Sequence, residues 1–263
     1  SWRTMFQISI SPEEIEKLEL AAFDGEMHVI DSQGPEYDAA VRFLARQKML
    51  GFDTESRPSF SPGQPHYGVS LLQLSGPGKA FLFRVKSCGI DDRLAAILSS
   101  ENILKIGAAV NDDVRGLQRY NDFKAGGFVD LQKIVWEYGV RDKSVKKMAA
   151  IIMGVRISKT QQLSNWEAPK LSEPQQKYAA TDAWICREMY KKLRRCAKAP
   201  LSFEQMHPEL AEKQEVVLTP EQLEARAEKK REKRRRHRRN LRKRSRRKRS
   251  KSKSNVKDNT EKR

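Results

Sequence analysis

Cysteine is scarce: Cys88, Cys186 and Cys196 are the only three in 263 residues. The number is odd and no pair is spaced as CxxC, which argues against a disulfide framework and against a cysteine zinc site. The histidines, at positions 28, 66, 207 and 237, show no metal-ligand spacing. No run approaches the ~18 consecutive apolar residues of a membrane span. The N-terminus, SWRTMFQISISPEEIEKLEL, has no apolar stretch long enough for a secretory signal and carries acids early. These absences predict reduced thiols and an intracellular protein without a membrane. Its place is the cytoplasm, or the nucleus of a eukaryotic cell in view of its basic C-terminus. The chain begins at Ser1 and reads either as a fragment or as a chain whose natural start is Met5.

Hydrophobic residues are also few, at 38%, while charged residues reach 33%, so part of the chain is not expected to pack. The charge locates that part. The 43 residues from Glu221 to Arg263 hold 22 basic and 6 acidic residues, a net of +16, whereas the preceding 220 hold 30 basic and 28 acidic, a net of +2. The overall +18 therefore describes an almost neutral body with a basic tail.

Within the body, apolar runs alternate with helical spacing. Ser11 and Pro12 open a short helix. Strands are expected at 27–31, 49–56, 67–75, 79–85, 103–110 and 127–131, with Gly76-Pro77-Gly78 turning a hairpin between the third and fourth. Helices are expected at 36–48, 91–100, 111–120, from 131 to about 138, and at 144–154, the last closed by Gly154. Ser172-x-x-Gln175 is a capping box with Pro174 in the first turn, so a long helix runs from about Glu173 to Arg195. Thr219-Pro220-Glu221-Gln222 starts another. Its first turns, 219–232, are expected to be helical. Beyond them like-charge repulsion predicts disorder until an anionic partner arrives. The domains read as an N-terminal extension (1–25), a catalytic domain (26–198), a linker (199–218) and a Lys/Arg-rich tail (219–263). The class is α/β, a mixed sheet with helices packed on it.

Three acidic clusters can carry chemistry. Asp53 and Glu55 stand two apart on a strand and so share a face, a good seat for a hard divalent cation. A strand-end charge pair facing water explains them equally well. Asn111-Asp112-Asp113 follows an apolar strand, where open α/β sheets place their ligands. Helix capping accounts for one of those acids, and the residues alone leave either Asp112 or Asp113 as the ligand. Tyr178 and Asp182 lie one turn apart on the long helix, as they also would on an ordinary amphipathic helix. Together the clusters supply what metal-assisted phosphodiester cleavage needs, carboxylates for cations and a group to orient water.

The segments FDTE (52–55), KIGAAVNDD (105–113) and LSEPQQKYAATDAW (171–184) resemble the three motifs of the DEDD superfamily of 3′–5′ exonucleases. This is the superfamily of RNase D and the Werner-syndrome exonuclease domain. Tyr178, four residues before Asp182, is similar to the tyrosine branch; the position five before, Lys177, lacks the histidine of the other. The resemblance extends to GVSLLQLS (68–75) and KTQQLSNWEAPKLS (159–172). It implies a ribonuclease H-like fold, a mixed sheet of five or six strands. It implies two divalent cations, Mg²⁺ or Mn²⁺, the first held by Asp53, Glu55 and Asp182, the second by Asp53 and by Asp113 through water. It favours Asp113 over Asp112, and gives Tyr178 the attacking water. Leu71, Leu72 and the loop 56–66 would flank the 3′-terminal nucleotide, and Asn165 and Lys159 would contact substrate. Trp166 is expected in the core rather than against a base. The resemblance implies release of 5′-mononucleotides from the 3′ end of DNA or RNA. The competing expectation is a catalytically weak nuclease-fold module that binds nucleic acid through its tail. In both, the tail binds phosphate backbones without reading sequence.

Overall fold

The apolar runs of the body pair into one six-stranded sheet: β1 (Glu26–Ile30), β2 (Met49–Ser56), β3 (Val69–Gly76), β4 (Lys79–Phe83), β5 (Leu104–Gly107) and β6 (Phe128–Asp130). The computed structural model describes residues 6–64, 66–210 and 218–257. The proposed start at Met5, position 65 of the expected loop 56–66, positions 211–217 of the expected linker and the last six residues of the tail lie outside the described residues. The strand order is β1-β4-β3-β2-β5-β6. β2, β3 and β4 form an antiparallel meander, while β1, β5 and β6 add parallel to it. The hairpin between β3 and β4 turns through Pro77 and Gly78, where φ of +70° calls for glycine.

The helices are α1 (Pro12–Glu16), α2 (Pro35–Ala45), α3 (Val85–Cys88), α4 (Asp92–Ser99), α5 (Val110–Gln118), α6 (Leu131–Ile134), α7 (Val145–Met153), α8 (Glu173–Leu193), α9 (Phe203–Met206) and α10 (Pro220–Lys257). Their starts follow local chemistry. Ser11 with Glu14, and Ser172 with Gln175, close capping boxes, and Ser144 and Asp91 cap α7 and α4. Gly154 ends α7 in the left-handed region.

The sheet buries both faces. Leu50, Phe52, Leu72, Leu74 and Phe83 pack with residues of α2, α4 and α5. On the other side Leu71, Ala80, Leu82 and Ile106 meet α7 and α8. The mixed sheet with flanking helices is the expected one, with three differences. The run 103–110 holds only a four-residue strand, because the backbone turns left-handed at Ala109 (φ +54°) and Val110 already belongs to α5. Residues read as a polar N-terminal extension pack on the body: Ile10 and Ile15 against Ala150, and Phe23 beside Trp166 and Tyr178. The helix expected over 219–232 continues to Lys257. Arg and Lys are good helix formers, no glycine or proline follows Pro220 in this stretch, and Thr219 and Gln222 exchange both capping-box bonds. The chain divides into two units, Ser1–Pro208 and Glu209–Arg263.

One close approach positions the site. Alternate residues of β2 face opposite ways: Leu50 and Phe52 enter the cluster with α5, and Gly51 faces α8. A Cβ at Gly51 would lie 1.9 Å from the Ala183 carbonyl oxygen, so only glycine lets α8 cross β2 this closely. Gly51→Ala is expected to destabilise the body by about 2–4 kcal/mol, read from the midpoint of urea unfolding. Parental stability in that variant would mean that α8 is free to move off the sheet.

Candidate metal centre and nuclease site

The face of β2 that carries Gly51 also carries Asp53 and Glu55, so both carboxylates point toward α8. Asp182 comes from the helix side, one residue before the Ala183 that Gly51 admits. One oxygen from each of Asp53, Glu55 and Asp182 lies within 4.8 Å of the others. Tyr178 and Asp182 are both buried, at 6% and 4% exposed, on the same face of α8. The Tyr178 ring packs at 5.9 Å against Trp166, which is 1% exposed. Trp166 is thus the core residue it was expected to be.

Thr54, on the opposite face of β2, reaches the second motif: its Oγ1 donates to Asp113 Oδ1 at 2.6 Å. Asp112 instead points to water, with a side chain 88% exposed and paired with Arg115. Of the two acids left open by the sequence, Asp113 is the one turned inward toward β2.

The electrostatics are those of crowded anions. Burial first, then Asp182 and Asp113, holds the Asp53 carboxyl well above the usual range. Burial, then Asp53 and Asp182, does the same to Glu55. Burial pushes Asp113 up to about 6, opposed by the Thr54 hydrogen bond. Asp182 is pushed by burial to about 6, opposed by Lys159 and by the Tyr178 phenol. Burial, with Asp182, Glu55 and Asp53 nearby, raises the Tyr178 phenol, so it stays an O–H donor. Lys159 Nζ stands 3.7 Å from Asp182 Oδ1 and 5.7 Å from the centre of the Tyr178 ring.

Asp182 Oδ1 is buried with no hydrogen-bond partner. An orphaned carboxylate oxygen among like charges is costly unless a cation joins it. One lysine does not balance three carboxylates, and the donors are all oxygen, so the set fits a hard divalent cation.

The remaining expected contacts are dispersed. Leu71 and Leu72 are fully buried, one on each face of the sheet. Both lie inside β3, a central strand covered on both faces; Leu71 pairs with Glu55 across the sheet and shares a cluster with Tyr178. Asn165 is exposed; its Oδ1 accepts from Glu167 N and its carbonyl from the Gln175 amide. Of these four, Lys159 is the one whose side chain pairs with a carboxylate of the cluster.

A family model described as 3′–5′ exonuclease matches residues 15–197. The chain belongs to the 3′–5′ exonuclease family. Among curated relatives it is 25% identical to an exonuclease mut-7 homolog of Aedes aegypti, over 64% of this chain and 26% of that protein. It is 30% identical to the bifunctional 3′–5′ exonuclease/ATP-dependent helicase WRN of Mus musculus, over 59% of this chain and 11% of that one. The chain thus spans about a quarter and about a tenth of the length of these relatives. The crystal structure of the Aedes aegypti Nibbler EXO domain shares the fold with a TM-score of 0.57 at 23% identity, over 65% of this chain and 88% of that one. Trypanosoma brucei RNase D in complex with RNA U12 does so with a TM-score of 0.57 at 20% identity, over 65% and 63%. The fold is the ribonuclease H-like one of this exonuclease family.

Two residues that support this acidic cluster carry no motif in the sequence. Gln73, fully buried and paired with Asp53 across the sheet, sets its amide among Glu55 Oε1, the Ala179 carbonyl and the backbone oxygens of Asp53 and Leu71. Its signal was a lone amide inside the apolar run GVSLLQLS. Asp130 accepts from Ala109 N at 3.0 Å and Val110 N at 3.4 Å. It thereby fixes the left-handed turn that starts α5 and aims Asp113. No spacing in the sequence announces that bond.

Proposed function

We propose that this protein is a metal-dependent 3′–5′ exonuclease that hydrolyses the 3′-terminal phosphodiester of a DNA or RNA strand and releases 5′-mononucleotides. The observation that carries this is the convergence of Asp53, Glu55 and Asp182 within 4.8 Å, with an orphaned oxygen on Asp182. Asp53, Glu55 and Asp182 would hold one Mg²⁺ or Mn²⁺, and Asp53 and Asp113 a second. When bound, the cations lower the pKa of water and stabilise charge on the phosphoryl and leaving 3′ oxygens. The neutral Tyr178 hydroxyl orients the attacking water. The water oxygen bonds to phosphorus, the bond to the 3′ oxygen of the penultimate nucleotide breaks, and that oxygen takes up a proton. Lys159, beside Asp182 and Tyr178, is placed to neutralise the phosphoryl oxygens. No covalent intermediate is required.

The chemistry is assigned to 26–198 and substrate holding to the tail 219–263. The support for the second assignment is charge: Lys233–Lys257 holds 16 Lys and Arg and no acid, which suits a phosphate backbone. No helix among the described residues is long and apolar enough to cross a membrane.

The test is digestion of matched 3′-labelled DNA and RNA, single- and double-stranded, with Mg²⁺, Mn²⁺ or EDTA. Labelled mononucleotide should appear with either cation and not with EDTA, and Tyr178→Phe should turn over about 10²-fold slower with unchanged melting. Digestion in EDTA, or full activity of Tyr178→Phe, would sink the mechanism. Salt-sensitive binding without digestion would leave the binding-module reading.

A further inference from the structure

The cationic half of α10 differs from its first turns in more than charge. Residues 221–232 hold the acids Glu221, Glu224, Glu228 and Glu232 and no residue with a hydroxyl. Residues 233–257 hold no acid, and their hydroxyls are those of Ser245, Ser250, Ser252 and Ser254. Each of these serines follows a base by three residues and another by one. The pairs are Arg242 with Arg244, Arg247 with Arg249, Arg249 with Lys251, and Lys251 with Lys253. A protein kinase with an acidic cleft selects a serine by charges at fixed offsets from its hydroxyl. Arginine three residues before the serine is the stronger mark, because its guanidinium meets a carboxylate with two parallel hydrogen bonds and an ammonium does not. Ser245, Ser250 and Ser252 follow such an arginine; Ser254 follows a lysine.

Such a pattern can be read only where the chain can be taken up by another protein. Residues 219–247 are all exposed, and the Ser245 hydroxyl donates to the Arg242 carbonyl at 2.9 Å, a bond local to the helix. A helix with exposed faces opens locally at little cost. Two serines of the body share the spacing but are held in place. Before Ser87, the Arg84 side chain is 12% exposed and donates to the carbonyls of Pro169, Trp166 and Ala168, while Lys86 pairs with Glu167. Ser144 caps α7 by accepting from Lys147 N, and Arg141 before it donates to the Gln205 carbonyl.

We propose that Ser245, Ser250 and Ser252 are phosphorylated by a base-directed serine kinase, and that the phosphates weaken the hold of the tail on nucleic acid. In each transfer the serine Oγ bonds to the γ-phosphorus of ATP. The bond from that phosphorus to the β,γ-bridging oxygen breaks, ADP leaves, and the hydroxyl proton passes to the kinase. Each phosphate brings about −1.5 to −2 charges, so three remove roughly a third of the charge of the 16 Lys and Arg in 233–257. Residues three apart on a helix are neighbours, so a phosphate on Ser245 also engages Arg242 and withdraws it from a strand. The modification stands without the exonuclease reading; its effect rests on the assignment of substrate holding to the tail.

The test treats the full chain with cyclic-AMP-dependent protein kinase and Mg-ATP and maps the product by mass spectrometry. Phosphate should enter Ser245, Ser250 and Ser252 about tenfold faster than Ser254, Ser87 or Ser144, as expected for one lost charge-assisted contact. Arg242→Gln should slow Ser245 by a similar factor and leave Ser250 unaffected. A tail without phosphate, a faster reaction at Ser87 or Ser144, or parental modification of Ser245 in Arg242→Gln would overturn the sites. Binding to a labelled single strand is then read in EDTA across a salt series. The phosphorylated chain should bind about tenfold more weakly near 0.1 M salt, with a salt slope about a third shallower. Kinase treatment should leave binding by Ser245→Ala/Ser250→Ala/Ser252→Ala unchanged. Equal binding before and after phosphorylation, in a chain that does respond to salt, would overturn the effect. An unmodified chain whose binding ignores salt would fault the substrate-holding role of the tail and not the sites, which the mass map decides.

Discussion

Asp182→Asn is expected to lose 3′-end digestion by about 10³-fold or more, yet to melt at a higher temperature than the parent when chelator is present. The two effects have one cause. Asp182 is 4% exposed, its Oδ1 has no hydrogen-bond partner, and its charge is one that raises both Asp53 and Glu55. Asparagine keeps the shape and removes the charge. Desolvation is relieved at position 182, and repulsion is relieved at the other two acids. A gain of about 1 kcal/mol corresponds to roughly 2–4 °C for a body of this size. In Mg²⁺ the order should reverse, because the parent gains more from cation binding than the variant. Single-turnover digestion and paired melting curves, in EDTA and in Mg²⁺, read all of this. Undiminished digestion would remove Asp182 from the mechanism. A lower melting temperature in EDTA would mean that the contacts of the carboxylate with Lys159 and Tyr178 outweigh its burial and its repulsion of Asp53 and Glu55.

Such a site was partly legible in the sequence because its parts obey local rules. Strand β2 came out with its bounds, Met49–Ser56, since apolar residues and turn signals frame it. The Ser172–Gln175 box marked the start of α8. Period-two and one-turn spacings then put Asp53 with Glu55 and Tyr178 with Asp182. What failed to read was non-local. Apolar character, interrupted only by Lys105, runs from Ile103 to Val110, but the strand stops at Gly107 because the Asp130 carboxylate, 21 residues from Ala109, holds a left-handed turn there. Hydrophobicity shows that Leu71 and Leu72 have partners without showing that these are the two sides of the core. Ile10, Ile15 and Phe23 are too widely spaced for a pattern, and only the assembled surface of α7 and α8 gives them a place. In the tail, the helix propensity of Arg and Lys and the absence of breakers outweigh like-charge repulsion.

The second large effect is an inverted dependence of stability on pH. In chelator, melting temperature should fall as pH rises from about 4 to 7, where most proteins hold steady or gain. Asp113 and Asp182 are raised to about 6, and Asp53 and Glu55 stand well above the ordinary range, chiefly through burial. A carboxyl whose folded pKa is raised keeps its proton in the folded state at a pH where the unfolded chain has lost it. Its stabilisation is full below the unfolded value near 4 and is lost as pH climbs through the folded value. A change from 3.8 to about 6 in one such group corresponds to roughly 3 kcal/mol. The four share one field, so the cluster is expected to contribute on the order of that amount rather than four times it. Other shifted groups do not mask the window. Glu14, Asp91 and Glu167 are lowered, so their contribution is complete above about 5 and is lost only in stronger acid. Lys105, lowered to about 8 by burial, acts above pH 7. Saturating Mg²⁺ should flatten or reverse the slope, because cations compete with protons for the same oxygens. Asp182→Asn should make it shallower in EDTA. Melting curves at pH 5 and 7, with EDTA and with Mg²⁺, check both claims. A melting temperature that rises with pH in EDTA would show that the carboxylates are not desolvated together, and with that the physical case for a cation at this site would be lost.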